Sequence, residues 1–422
     1  MQLEELNPDY ERVLLLGIDT GEFDAEYSLT ELTRLCETAG GKVYATVLQK
    51  LPAPDRFSFV GSGKLLETAE LCERTGIDLI ICDGELSPAQ IRNLEDATNT
   101  RVIDRTTLIL DIFAMRASTA EGRLQVELAQ LRYSLPRLTG KGRALSRLGG
   151  GIGTRGPGES KLETDRRHIR RRMEKLSERL ESVSERRGML SRRRRKNGAV
   201  LVTLCGYTNA GKSTLMNALT DAGVLSEDKL FATLDPTSRA LLLPDGRTVI
   251  LIDTVGFISR LPHELVKAFS STLEVILDSD LVINVCDNSS PLCEQELEQS
   301  EKVLEELGAS DIPVLTVYNK CDLSPNVYAF PMRKNSVRIS ALTGEGLDGM
   351  LEKICSLIPD RRKEYSFIFP PDKADLGYKT RNAGFVTEEK WTGNGYLLRV
   401  KALPENVDGI VREYITDTDN IN

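Results

Sequence analysis

The strongest constraint on the fold lies mid-chain, where an apolar run, AVLVTLC (199–205), passes without a break into GYTNAGKSTLMNAL (206–219). The first stretch reads as a buried strand and the second turns helical at once, so the loop between them sits at a strand's carboxyl end. It satisfies G-x-x-x-x-G-K-[ST] with Gly206, Gly211, Lys212 and Ser213. Glycines let successive N–H groups curl round phosphates, and the helix N-terminus adds partial positive charge. The loop residues Gly206, Tyr207, Thr208, Asn209, Ala210 and Gly211 are therefore expected to cradle a nucleotide's phosphates, with Thr214 closing the loop. Lys212 is expected to bridge the outer phosphates, and the Ser213 hydroxyl to ligate Mg²⁺.

Three more motifs follow in order. LIDTVG (251–256) ends an apolar strand at Asp253, the position for a carboxylate that holds Mg²⁺. Thr254 and Val255 then lead to Gly256, whose N–H can turn toward a γ-phosphate. VLTVYNKCD (314–322) ends another strand with Asn319, Lys320, Cys321 and Asp322. A carboxylate accepts from both N1–H and the exocyclic amine of guanine, a pattern adenine lacks, so Asp322 selects GTP over ATP. VRISALTG (337–344) places Ser340, Ala341 and Leu342 where a backbone N–H can meet guanine O6. LFATLDPTSRA (230–240) reads as a switch loop, which needs one threonine on Mg²⁺. Composition leaves Thr214, Thr233 and Thr237; chain order removes Thr214. Phe257 stands where many GTPases keep a water-orienting glutamine. Either it packs the second switch, or GTP is hydrolysed slowly until a partner assists, help that can contribute about 10³–10⁵-fold.

Around this core the chain, at 422 residues, is long enough for several domains. Residues 1–112 alternate strand-like and helical stretches, a small N-terminal α/β domain. Its VGSGK (60–64) fails phosphate-loop spacing and reads as a strand-to-helix turn. Residues 113–197 carry two seams, Leu124, Leu128, Leu131, Leu135 and Ile169, Met173, Leu176, Leu180, Val183, each spaced in alternating fours and threes. They predict an antiparallel helical hairpin whose second arm, about 159–196, is on the order of 55 Å long. The connection RLTGKGRALSRLGGGIGTRGPG (137–158) is rich in glycine and basic residues and has no acid. From Leu131 to Lys196 there are 21 Lys or Arg against 7 Asp or Glu, in a chain of net charge −8. The rest is strongly acidic, so one place faces phosphate. Aromatic residues are nearly absent there, which favours RNA backbone or shape over base stacking. Arg166, Arg167, Arg170, Arg171 and Arg172, then RRRR (192–195), extend that charge.

Residues 198–360 form the P-loop GTPase domain, and 361–422 a small C-terminal α/β domain of a strand, a strand pair turning at TGNG and a closing helix, with Trp391 in a core or interface. In CEQELEQSEKVLEELG (293–308) Leu297, Val303, Leu304 and Leu307 face inward and the acids form a solvated face. His168 and His263 are expected to be non-catalytic. The eight scattered cysteines suggest neither disulfide nor metal site. The start lacks a signal-peptide pattern, and no apolar run is long enough to span a membrane, so a cytoplasmic protein is expected, peripheral membrane association remaining open.

GYTNAGKSTL, FATLDPT, DTVGFI and NKCD resemble the HflX family of translation-factor-class GTPases. GGGIGTRGPGESKLETDRR is similar to that family's glycine-rich segment, and FVGSGK to its N-terminal domain. The likeness covers residues 1–360 and is less distinctive beyond. It implies that Thr233 is the switch threonine, catalysing with Lys212 and Gly256 and holding Mg²⁺ with Ser213 and Asp253, while Phe231, Ala232, Leu234 and Asp235 line the nucleotide. It implies an α/β multidomain monomer that binds the large ribosomal subunit and its rRNA, with no DNA partner, and splits stalled or idle ribosomes under stress. The hairpin and its basic loop would reach toward the peptidyl transferase centre. Two other readings stand: a GTPase that acts in large-subunit assembly, and a GTP-loaded RNA clamp with negligible hydrolysis.

Overall fold

The computed structural model describes residues 10–140, 157–196, 199–220, 230–231, 236–258, 260, 275–323, 333–370, 373–393, 395–404 and 406–410. The first unit comprises β1 (Arg12–Asp19), α1 (Ala25–Thr38), β2 (Lys42–Lys50), α2 (Ser62–Thr75), β3 (Leu79–Cys82), α3 (Pro88–Thr98), β4 (Arg101–Asp104) and α4 (Arg105–Arg116). Its parallel sheet has the order β2-β1-β3-β4. RVLLLGID of β1 is apolar nearly throughout because it is central and covered on both faces, whereas the edge strand β2 alternates. VGSGK makes the expected turn: Gly61 caps α2, and its N–H donates to Gln49 Oε1 at 2.9 Å. The strand order reverses between β1 and β3, opening a crevice at their carboxyl ends.

The hairpin follows as α5 (Ala120–Ser134) and α6 (Pro157–Lys196). With 40 residues, α6 is about 60 Å long. Ile169, Met173, Leu180 and Val183 are half-buried and Leu176 is buried, while Arg170, Arg171 and Arg172 beside them are exposed. That arm follows its heptad seam. In α5 the buried face is broader than the seam predicts. Val126, Ala129 and Tyr133 join the first unit's core, and Leu124, Leu131 and Leu135 are only half-buried. The reason is that α5 has two partners, α4 and α6, and a two-per-heptad stripe serves only one. At its base Tyr133 donates to the fully buried Asp104, and the Arg137 guanidinium lies 3.3 Å over the Tyr133 ring. The glycine-rich tip, 141–156, lies outside the described residues.

The second sheet is built from β5 (Val200–Gly206), β6 (Thr237–Leu242), β7 (Thr248–Asp253), β8 (Leu281–Asp287), β9 (Val314–Asn319) and β10 (Ser336–Arg338), in the order β10-β9-β8-β5-β7-β6. Its described helices are α7 (Lys212–Thr220), α8 (Cys293–Glu306) and α9 (Leu347–Leu357). Only β6 among these strands runs antiparallel to its neighbour. In α8, Leu297 and Leu304 are buried and Val303 and Leu307 pack beside them, as the periodicity predicts. One acid breaks the solvated face: Glu296 is buried, and accepts from Tyr27 Oη at 2.7 Å and Ser290 Oγ at 3.0 Å.

The third unit is an antiparallel sheet, β11-β13-β12, of β11 (Lys363–Phe369), β12 (Phe385–Thr392) and β13 (Gly395–Ala402). A helix not anticipated from the sequence, α10 (Ala374–Ala383), crosses between β11 and β12. Trp391 is not in a core: it is 67% exposed and leans on Tyr396, ring centres 5.1 Å apart. It sits on β12, the edge strand of that sheet. The unit is fastened to the second one by Arg362, just before β11, whose Nη1 donates to Asp245 O at 2.8 Å and whose Nη2 lies 3.4 Å from Asp245 Oδ2. All eight cysteines are free thiols. Among the described residues no helix is long and apolar enough to cross a membrane.

Candidate functional site

The loop from Gly206 to Ser213 sits at the carboxyl end of β5, flanked by the ends of β7, β8 and β9. Its two motif glycines are required for steric reasons. Gly206 has φ +130°, and a Cβ there would lie 2.1 Å from the Val285 carbonyl oxygen. Gly211 has φ +93°, and a Cβ would lie 2.3 Å from Asn319 Nδ2. Asn209 also turns left-handed, at φ +61°, which an asparagine tolerates better than most residues.

Lys212 opens α7, is 7% exposed, and donates to Gly206 O at 3.1 Å and Tyr207 O at 2.8 Å. Burial lowers its pKa, partly offset by the Asp253 charge. The motif aspartate is fully buried and accepts from Ser213 Oγ at 2.8 Å. This hydroxyl and carboxylate are hard oxygen donors beside a buried ammonium, a set suited to Mg²⁺ rather than to a softer ion. Thr254 is turned inward, its hydroxyl donating to Leu204 O at 2.7 Å. Val255 is buried in the core shared with the first unit.

Asn319 joins two motifs: Nδ2 donates to Ala210 O at 2.8 Å and Oδ1 accepts from Ala341 N–H at 2.9 Å. Lys320 pairs with Asp287 at 2.7 Å, and Asp322 is exposed on the short 3₁₀ turn Cys321–Leu323. The Ser340 N–H donates to Glu345 O at 2.9 Å, so both amides of the last motif are engaged within the protein, and Leu342 is 79% exposed. A guanine O6 meeting the Ala341 amide would take it over from Asn319.

In the first switch, Phe231 is buried at φ +54° and packs edge-on against Phe113 of α4, centres 4.7 Å apart. Residues 232–235, Ala232, Thr233, Leu234 and Asp235, lie outside the described residues. Thr237 opens β6 and its hydroxyl faces Met216 Sδ at 3.6 Å. In the second switch Phe257 is 4% exposed, packed in the core shared with the first unit. Its N–H donates to Gly206 O at 3.0 Å, and its carbonyl accepts from Thr208 N–H at 2.7 Å. Of the two readings of Phe257, the packed one describes its side chain, and no polar group takes the glutamine's place at that position. His168 is exposed on α6; His263 lies outside the described residues.

Sequence reasoning missed the N-terminal contribution. Tyr207 Oη donates to Glu31 Oε1 at 2.6 Å, and Glu31 in turn pairs with Arg105, which also holds Asp83 at 2.9 Å. Burial alone would lower the Arg105 pKa, but Glu31 and Asp83 outweigh it and raise it. A cavity of about 290 Å³ separates α1 from the loop, lined by Tyr27, Arg34, Thr208 and Asn209 among others. Among the described residues the buried Thr208 hydroxyl has no hydrogen-bond partner. The available signal was Glu31 itself, an acid on the apolar stripe of α1.

Three family models match in succession: a GTP-binding GTPase N-terminal model over residues 26–114, a GTP-binding GTPase middle-region model over 116–195, and a 50S ribosome-binding GTPase model over 201–320. A "GTPase HflX" from Caldanaerobacter subterraneus is 48% identical over 404 residues, covering 96% of this chain and 94% of the relative. The "GTPase HflX" of Escherichia coli K12 is 43% identical over 353 residues, covering 82% and 83%. A solved GTP-binding protein of Sulfolobus solfataricus in complex with GDP is 27% identical, covering 82% of this chain and 98% of that one, with a TM-score of 0.44.

Proposed function

The chain belongs to the HflX family of GTPases and is itself a GTPase with a ribosome-binding GTPase domain, and from that premise we propose that it binds the large ribosomal subunit in the cytoplasm, as a monomer, and splits stalled or idle ribosomes. The observation that carries this reading is the pairing of one nucleotide site with one long basic arm. α6 is about 60 Å long and exposes Arg167, Arg170, Arg171, Arg172, Arg179 and Arg186, and its partner α5 is anchored in the same core that receives Phe231 and Phe257. A change at the switches therefore has a short packed route to the arm that would meet RNA.

Within the site, Ser213, Asp253 and Thr233 would hold Mg²⁺, which neutralises charge developing on the transferred phosphoryl group. Lys212 would bridge the outer phosphates, Gly256 N–H would meet the γ-phosphate, and Asp322 would select guanine. Phe257 offers no group to orient water, so the assistance is assigned to the ribosome. Steady-state turnover should rise at least tenfold on adding purified large subunits, well within what help in trans supplies, about 10³–10⁵-fold. Equal rates with and without subunits would reject the stimulation.

A further inference from the structure

In open α/β sheets, ligands occupy the crevice at the carboxyl ends of the strands where strand order reverses. In the N-terminal sheet that crevice lies between β1 and β3, and what occupies it is an arginine from the nucleotide-binding unit. Arg260 reaches in from just beyond the second switch. Its Nη1 donates to Ser28 Oγ and to Asp83 Oδ2, both at 3.2 Å, and its Nη2 to Asp83 O at 3.3 Å. Its guanidinium lies 4.0 Å over the Phe23 ring. The Arg260 backbone adopts φ +54°, a conformation that a non-glycine residue keeps only when its surroundings enforce it. With the Phe257 ring also buried in the shared core, the segment is anchored to the N-terminal unit twice.

The same segment is joined at its other end to the phosphate loop. The Phe257 carbonyl takes the Thr208 N–H, and Phe257 N–H is given to Gly206 O. Gly256 lies so close that a Cβ would be 2.8 Å from Thr208 Cα and 2.9 Å from Lys212 Nζ. A terminal phosphate needs room beside that ammonium and loop amides that point at it. In this arrangement the Phe257 carbonyl engages the Thr208 N–H, one of those loop amides.

We propose that Arg260 is a positioning residue: docked in the N-terminal crevice, it holds the Phe257 carbonyl against the phosphate loop, so a guanosine triphosphate, unlike a diphosphate, must draw the second switch away from the N-terminal unit. Linkage makes the effect reciprocal: what loosens the dock favours the triphosphate by the factor with which the triphosphate loosens the dock. Departure of Arg260 leaves no buried charge stranded, because Asp83 stays paired with Arg105.

The test is titration of the full-length protein with fluorescent GDP and a fluorescent non-hydrolysable GTP analogue. In Arg260→Ala the analogue should bind roughly fivefold more tightly while GDP affinity changes by less than about twofold, and Arg260→Lys should restore much of the wild-type ratio. An unchanged or reduced ratio of analogue to GDP affinity overturns the proposal, and normal GDP binding shows in the same assay that the variant is folded. In the unmodified protein, amide exchange at residues 23–31 and 83–86 should be faster with the analogue than with GDP. Equal exchange in the two states overturns the proposal independently of any variant.

Discussion

At the scale of single residues, the guanine selection proposed for Asp322 places it at the rim, exposed on a turn that follows Asn319 and Lys320. Hydrogen bonds to a charged group contribute about 1.5–3 kcal/mol each, and guanine donates two. Asp322→Asn puts an N–H where an acceptor stood, so GTP affinity should fall roughly 100-fold. Xanthosine triphosphate, with a carbonyl in place of the amine, should gain. Calorimetry with the two nucleotides reads this, and undiminished GTP affinity would remove Asp322 from the role. The phosphate-loop glycines were legible because their spacing follows from steric necessity: Gly206 and Gly211 each stand where a side chain cannot fit. Glu31, Asp83, Arg105 and Arg260 were not, because a buried ion network is made by residues distant in sequence whose types look like ordinary surface charge. The packing of Phe257 was one of two open readings, and its outcome depended on a neighbouring unit that periodicity cannot position.

At the scale of elements, the long arm and the unit junctions invite separate tests. Removing residues 140–157 should abolish ribosome splitting and spare GTP binding; splitting that survives the deletion would end the role assigned to the tip. The junction to the C-terminal unit is expected to act as a pH-sensitive clamp, since Asp360 accepts from Arg362 where the chain enters that unit. The hydrogen bond from Arg362 holds the Asp360 pKa down to about 2 against the opposing effect of burial. A depressed carboxylate pKa contributes stability that is present above the unfolded value, about 4, and is lost as pH falls toward 2. Melting temperatures of wild type and Asp360→Asn should therefore differ at neutral pH and converge near pH 2; a difference that persists there would contradict the clamp. A fully buried central strand, β1, and a helix with one dominant partner, α6, were readable from pattern. α5 was read too narrowly because it serves two partners, and α10 was missed because DKADLGYKTRNAG has a glycine in its middle and no clear apolar stripe.

At the scale of the whole molecule, the first unit, the hairpin arm α5 and both switches share one core, and the proposed meeting with RNA falls to the basic arm because the rest of the chain is net acidic. The domain bearing the nucleotide site was the most legible part, since its motifs must follow strands in a fixed order. The way the N-terminal unit clasps both switches was the least legible. The central claim is that guanosine triphosphate occupancy governs splitting of the ribosome. Light scattering of whole ribosomes mixed with the protein tests it most directly. Scattering should fall with GTP or its non-hydrolysable analogue, as particles separate into subunits, and should stay level with GDP. A signal that stays level with every nucleotide, or falls equally with GDP, would contradict the account.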